Sequence, residues 1–497
     1  MSTKGTVRVG SQAGARIDRR LFGSFLEHLG RAVYGGIYEP GHPSANADGM
    51  RGDVIALVRE LGVSLVRYPG GNFVSAYDWE DGTGPKADRP VRLDLAWHSL
   101  EPNQVGIAEF VAWAASAGVE PMLAVNLGTR GVADAVRLLE YCNARAGSLA
   151  ELRRSHGFPD PFGVRLWCLG NEMDGPWQIG HRTAVEYGRL ADQTAHAMRS
   201  LDDSLVLVAC GASGPDASWF EEWTREVLRA TYQNVDQLSC HWYVSGDGMD
   251  LASFLASGVI MDGYIEAVVR IADEVGAELG VDKRIDVSFD EWNVWNAQRH
   301  AERDAITGID NWPFAPPLLE EEYTLADAVV VGSMLISLLA HADRVKVACL
   351  AQLVNAIAPI MTVPGGPAWR QTIFHPFALS AAVAGGRLLP IEVDVPMLDT
   401  ARHGLVPMAQ AVACLGGEPE AVQVFVVNRD PDRGLDLTLE LASSSGRLEV
   451  TTLSGPDPQA TNNAANPDRV LPVSAVQDAT TPVRLPPASW TRIRAIG

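Results

Sequence analysis

The chain has no apolar run approaching the roughly 18–20 residues that span a bilayer, so no membrane helix is expected. Its opening, Met1-Ser-Thr-Lys-Gly-Thr-Val-Arg-Val-Gly, lacks the basic-then-apolar pattern of a secretion signal. Positive charge is in deficit. The formal net charge of -21 argues against nucleic acid or an anionic membrane as partner, since both demand a basic face. Lysine is limited to Lys4, Lys86, Lys283 and Lys346, and none ends a strand-like run, where a Schiff-base enzyme would need it. Cys142, Cys168, Cys210, Cys240, Cys349 and Cys414 form no CxxC pair, and there is no HExxH or His-x-His. No zinc, redox or catalytic metal centre is therefore expected. Cys168, Cys210, Cys240 and Cys349 fall in strand-like runs, where a thiol acts as a small buried hydrophobe. Free thiols without an export signal point to the cytoplasm.

What the sequence does contain is a regular alternation, over 497 residues that suffice for more than one domain. Strand-like runs stand at 22–28, 64–69, 121–127, 165–171, 205–211, 237–243, 285–291 and 346–353. Amphipathic helical patterns follow them at 51–61, 107–117, 132–143, 184–200, 218–230, 263–279, 325–342 and 372–385. Strand-then-helix repeated eight times predicts an α/β fold, a (β/α)8 TIM barrel over residues 19–386. An open doubly wound sheet would carry a Gly-rich phosphate turn after its first strand, and the segment after Phe25 has none. Residues 387–497 change character. Val422-Gln-Val-Phe-Val-Val-Asn and Leu435-Asp-Leu-Thr-Leu-Glu-Leu alternate between turn residues, which predicts a C-terminal β-sandwich, jelly-roll-like, with 455–468 as a polar loop. Residues 1–18 carry one strand, Gly5–Val9, expected to join that sandwich.

A TIM barrel puts its active site at the C-terminal ends of its strands. Those ends carry Glu27-His28, Arg67 with Gly70-Gly71-Asn72, Asn126, Asn171-Glu172, His241-Trp242-Tyr243, Glu291-Trp292-Asn293 and Gln352; only the fifth, Gly211-Ala212-Ser213, is bland. Carboxylates, amides, aromatics and one arginine suit a site that hydrogen-bonds hydroxyls and stacks a sugar ring. Glu172 and Glu291 end strands four and seven, on opposite sides of the barrel mouth. Glycoside hydrolysis needs such a pair, one carboxyl to protonate the leaving oxygen and one to meet the oxocarbenium-like carbon. A gap of about 5–5.5 Å makes the reaction retaining and about 6.5–9.5 Å inverting, and residue spacing alone leaves that choice open. Strand alternation turns Asp290 away from Glu291, toward the helices, as a structural residue.

Longer strings carry a family resemblance: Phe22-Gly-Ser-Phe-Leu-Glu-His-Leu-Gly-Arg, Arg67-Tyr-Pro-Gly-Gly-Asn-Phe, Gly170-Asn-Glu-Met-Asp-Gly-Pro-Trp-Gln, Asp290-Glu-Trp-Asn-Val-Trp and Gln352-Leu-Val-Asn-Ala-Ile-Ala-Pro. In this order they resemble family 51 of the glycoside hydrolases, in clan A, best known for α-L-arabinofuranosidases. The resemblance implies a barrel followed by a β-sandwich, a retaining double displacement, no cofactor, an oligosaccharide substrate and a homo-oligomer, often a hexamer. By position, it makes Glu172 the acid/base and Glu291 the nucleophile. It gives Glu27, Arg67, Asn72, Asn171, Tyr243 and Gln352 to the sugar hydroxyls and the nucleophile, with His241 beside them. Trp97, Trp177 and Trp295 would shape the pocket walls; Trp242, between His241 and Tyr243, and Asn296, after Trp295, differ from the family's strings and would affect the rim. A β-xylosidase of the same clan, or a carbohydrate-binding protein on a decayed scaffold, is the alternative. The stretch 299–322 after strand seven is expected to be a lid or a subunit contact.

Overall fold

The structure, a computed structural model, describes residues 3–297, 306, 308–442 and 446–496. Its first eleven strands are β1 (Thr3–Val9), β2 (Gly23–Phe25), β3 (Leu65–Tyr68), β4 (Arg92–Asp94), β5 (Ser99–Glu101), β6 (Glu120–Ala124), β7 (Leu166–Leu169), β8 (Val206–Ala209), β9 (Gln237–Val244), β10 (Asp286–Val294) and β11 (Val345–Ala351). β2, β3 and β6 to β11 form a closed parallel barrel in chain order, with β11 returning to β2. Strands such as Leu166-Trp-Cys-Leu are buried on both faces, by the barrel interior and by the helices, and so read as continuous apolar runs. The eight expected helices are present, the longest being Gly258–Leu279. Helix Ala184–Leu201 starts where Thr183 and Glu186 reciprocally cap its free amides.

Six of the eight barrel strands are shorter than their apolar runs, and β9 and β10 are longer. Residues 26–28 leave the ladder after β2, although Leu26 still donates to the Arg67 carbonyl (2.9 Å) and His28 to that of Pro69 (3.1 Å). These departing ends deliver side chains to the mouth. Between β3 and β6, β4 and β5 form a hairpin that stands over it.

Besides a small hairpin, Met397–Thr400 with Gly404–Pro407, the C-terminal region holds two larger sheets. One orders Ile391–Asp394, β1, Leu435–Leu441 and Val483–Leu485, so the N-terminal strand lies inside a sheet built otherwise from the far end of the chain. The other has six strands, from Arg387–Leu389 at one edge to Val473–Asp478 at the other. Helix Leu325–Ala340 lies between this unit and the barrel, which explains why Leu-Ala-Asp-Ala-Val-Val-Val-Gly-Ser-Met is apolar nearly all round. There Gly332 lets the Trp490 indole approach so closely that a Cβ would overlap it. Ser333 adds a hydrogen bond to Gln410 (2.7 Å). All six cysteines are free and buried. Among the described residues, no helix is long and apolar enough to cross a membrane.

Candidate active site

Nine of the twelve expected site residues, Glu27, Asn72, Trp97, Glu172, Trp177, Tyr243, Glu291, Trp295 and Gln352, line one cavity of about 470 Å³ at the barrel mouth. The other three, Arg67, Asn171 and His241, are buried beneath it, one hydrogen bond from the lining. Arg67 donates from Nη1 to Glu291 Oε1 and from Nη2 to Asn171 Oδ1, both at 2.6 Å, with its guanidinium 4.8 Å from the Phe25 ring centre. Tyr243 Oη donates to the second oxygen of Glu291 (2.8 Å). Both Glu291 oxygens are thus held, which fixes the carboxylate plane toward the cavity. Glu172 accepts from His241 Nδ1 (3.0 Å) and from Trp177 Nε1 (2.8 Å). Trp177 is 54% exposed, which puts it on the rim. Glu172 itself has φ +41°, a left-handed conformation uncommon for a residue with a side chain and typical of functional turns.

A further carboxyl, Glu27, lines the same cavity. Glu27 accepts from the Phe73 amide (2.9 Å), Trp97 Nε1 (3.0 Å) and Gln352 Nε2 (3.1 Å). A Cβ at Gly71 would lie 2.5 Å from a Glu27 oxygen, so the Gly70-Gly71 turn is small because Glu27 presses against it.

The distance between the principal carboxyls decides the chemistry. One oxygen of Glu172, one of Glu291 and a ring nitrogen of His241 all lie within 4.8 Å of one another. Known proteins resemble this chain over most of its length. The α-L-arabinofuranosidase 1 domain matches residues 57–252 and the α-L-arabinofuranosidase C-terminal domain residues 290–489. An intracellular exo-α-(1→5)-L-arabinofuranosidase of Streptomyces lividans is 54% identical over 490 residues, covering 96% of this chain and 73% of its own. An exo-α-(1→6)-L-arabinofuranosidase of Bifidobacterium longum is 50% identical, over 96% and 94%. Among solved structures, a family 51 α-L-arabinofuranosidase from Bifidobacterium longum superposes with TM-score 0.93 at 42% identity over the whole of both chains. The chain belongs to the family 51 α-L-arabinofuranosidases. An arabinose complex of the Thermotoga maritima enzyme matches over 99% of both chains, with TM-score 0.87 and 32% identity.

In this arabinofuranosidase fold Asp290 does not face the helices. Ser288 pairs with Ser239 and Glu291 with His241, so three steps on β10 match two on β9. This one-residue bulge breaks the alternation and brings Asp290 inside with Glu291, while Phe289 turns outward onto Tyr264, ring centres 5.7 Å apart. Asp290 lies 3.3 Å from His241 Nε2 and 3.6 Å from Arg67 Nε. Sequence reasoning missed this residue because nothing in Phe289-Asp-Glu announces a bulge. The rim is also corrected. Trp242 alternates away from the cavity between His241 and Tyr243, and is buried. Asn296 accepts from Ser245 Oγ (3.0 Å) and donates to Glu321 (2.9 Å), tying loops together outside the cavity. Asn126 builds its own turn, accepting from the Gly128 and Thr129 amides at 3.0 Å. Ser213, Leu319 and Ile357 do line the cavity, from loops with no periodic pattern to flag them. Residues 299–305 and 307 of the expected lid segment lie outside the described residues. Farther on, Trp312 stacks on His98, ring centres 4.8 Å apart.

The electrostatics separate the carboxyls. Burial works against a charged His241, but Glu291, Asp290 and Glu172 outweigh it and raise the imidazole to about 10. Asp290 is held low, because Arg67 and His241 overcome its burial. Burial raises Glu172 above the usual carboxylate range, and the Glu291 charge adds to that, against the His241 and Trp177 hydrogen bonds. Burial also raises Glu27 to about 8. Arg67 and His241 balance Asp290 and Glu291 in charge, which leaves Glu172 and Glu27 as the carboxyls over the cavity that hold a proton most readily, and of these Glu172 is the one beside Glu291. A protonated His241 has no lone pair for a cation, so the Glu172, His241 and Glu291 cluster does not suit a metal ion.

Proposed function

We propose that this chain is a retaining, exo-acting α-L-arabinofuranosidase that releases terminal arabinofuranose from α-(1→5)-linked arabino-oligosaccharides by double displacement. The observation that carries the retaining reaction is the close approach of Glu172 and Glu291, with oxygens within 4.8 Å. That spacing favours direct attack on the sugar over a gap wide enough for an intervening water. Glu291, fixed by Arg67 and Tyr243, attacks the anomeric carbon. Glu172 gives its proton to the departing oxygen. The glycosyl–Glu291 ester no longer bears a negative charge, so one of the causes that raise Glu172 disappears. Glu172 then takes a proton from the incoming water, and the sugar leaves with its starting configuration. Glu27, Asn72 and Gln352, which line the same cavity, hold the hydroxyls.

The catalytic unit is residues 19–386, with 1–18 and 387–497 as its companion domain. The protein works in the cytoplasm, a location that favours short imported oligosaccharides, and as a homo-oligomer, a hexamer by family likeness. The relatives' α-(1→5) names support the linkage. Initial rates on 4-nitrophenyl α-L-arabinofuranoside and β-D-xylopyranoside test the substrate. The arabinoside is expected to be cleaved at least about a hundredfold faster in kcat/KM, the discrimination of a pocket built to hydrogen-bond one sugar's hydroxyls. Faster xyloside cleavage would keep both glutamates and overturn the substrate.

A further inference from the structure

We propose that Glu101, at the base of the β4–β5 hairpin, is a positioning residue for the sugar pocket, acting through Trp97. The inference rests on the arabinofuranosidase reading, in which Glu27 and Trp97 belong to the sugar-binding wall.

Trp97 does not sit on a barrel strand. It lies in the four-residue connection between β4 and β5, and from there its indole lines the cavity and donates to Glu27 Oε1 (3.0 Å). A hairpin this short has little core of its own, and Leu93 and Leu95 near its tip are exposed. Its position must therefore come from anchors outside it.

The strongest of these is Glu101, which is buried and faces the barrel rather than the solvent. Oε1 accepts from the Asn103 amide (2.6 Å) and from the Tyr34 hydroxyl. Oε2 meets His28 Nδ1 at 2.7 Å. On its other side the His28 ring meets the Tyr68 hydroxyl through Nε2 at 2.6 Å. His28 is next in sequence to Glu27, and Tyr68 is next to Arg67, so the anchor is bolted to the strand ends that deliver the site. The His28 ring also stacks on Phe73, whose amide donates to Glu27, with ring centres 4.7 Å apart. One buried network thus fixes both the acceptor, Glu27, and the hairpin that brings its donor.

The hairpin has other attachments. Arg92 donates twice to Asp81 (2.7 and 3.0 Å), but its side chain is exposed, so the pair is screened by solvent and adds little. Asp94 accepts from the Ala96 amide (2.9 Å), which shapes the turn but does not tie it to the barrel. Leu100 donates to the Pro313 carbonyl (2.9 Å), a bond to another loop. Without Glu101, His28 Nδ1, the Tyr34 hydroxyl and the Asn103 amide lose their partner together, and the hairpin base loses its hold on the barrel.

A double-mutant cycle on KM for 4-nitrophenyl α-L-arabinofuranoside separates this from a general structural role. Glu101→Ala is expected to raise KM at least about tenfold, with kcat on this activated substrate changing less than about threefold. In a Trp97→Phe background, where the donor to Glu27 is already gone, Glu101→Ala should add little. Glu101→Gln keeps one acceptor oxygen and should restore most of KM. Glu101→Leu, which fills the same space without an acceptor, replaces Glu101→Ala in the cycle if the alanine variant does not fold. Additive effects of Glu101 and Trp97, or a Glu101 variant that loses kcat while keeping KM, would overturn the positioning role. Failure of the wild-type protein to cleave the arabinoside would instead strike the enzymatic reading and take this proposal with it.

Discussion

Glu291→Ala is expected to lower turnover by at least about four orders of magnitude on every arabinofuranoside, whatever its leaving group. The residue forms the bond to the anomeric carbon, so an activated aryl leaving group cannot bypass its loss. The variant should fold, because the alanine leaves Arg67 with Asp290 and Asn171 as partners. A thermal melt beside the kinetics separates lost chemistry from lost structure. Residual activity within tenfold of wild type on the aryl substrate would remove Glu291 as the nucleophile.

Glu172→Ala is expected to divide substrates by leaving group. Protonation of a sugar leaving oxygen by a placed carboxyl contributes about 10²–10⁴-fold, so hydrolysis of an arabino-oligosaccharide should fall by that factor or more. An aryl arabinofuranoside, whose phenolate departs unaided, should form the ester nearly as fast as in wild type and then stall. Azide needs no general base, so it should restore turnover on the aryl substrate. The pH profile carries the same information. Wild-type kcat/KM should decline on the alkaline side as Glu172 loses its proton, above the usual carboxylate range because burial and the Glu291 charge raise it. In Glu172→Ala that alkaline limb should vanish for the aryl substrate. Equal losses on both substrates without azide rescue would take Glu172 out of the acid/base role.

The barrel was legible because a parallel strand sheathed in helices must be apolar along its length, as in Leu166-Trp-Cys-Leu, and because polar residues accumulate only where strands emerge at the mouth. Asn171-Glu172 and Asp290-Glu291 stand out for that reason. What could not be read depends on breaks in regularity. The β10 bulge shifts the facing of the chain by one residue, and it moves Asp290 from the helix side to a place between Arg67 and His241. Trp97 reaches the cavity from a hairpin and was identified by family likeness rather than by any periodicity. Leu319 and Ile357 meet through a backbone hydrogen bond of 2.7 Å between two loops, a contact no local pattern encodes. The apolar helix Leu325–Ala340 was placed correctly, but its all-round burial makes sense only once the second domain is seen against it.

The two glutamates also share one structural logic. Glu172 stands just beyond β7 and Glu291 within β10, and each has both oxygens occupied by donors from the layer beneath or from the rim. Preorganisation of this kind leaves little to reorient when a sugar arrives. Arg67 joins the two sides by donating to Glu291 and to Asn171, the neighbour of Glu172.

The most direct test of double displacement by Glu291 and Glu172 is the anomeric configuration of the first product. Wild-type protein and an aryl α-L-arabinofuranoside in water containing methanol should be followed by proton NMR, because the methyl glycoside does not mutarotate. Retention, seen as methyl α-L-arabinofuranoside, is the expected result. A methyl β-L-arabinofuranoside as the first product would contradict it and require a water or alcohol to stand between Glu291 and the sugar.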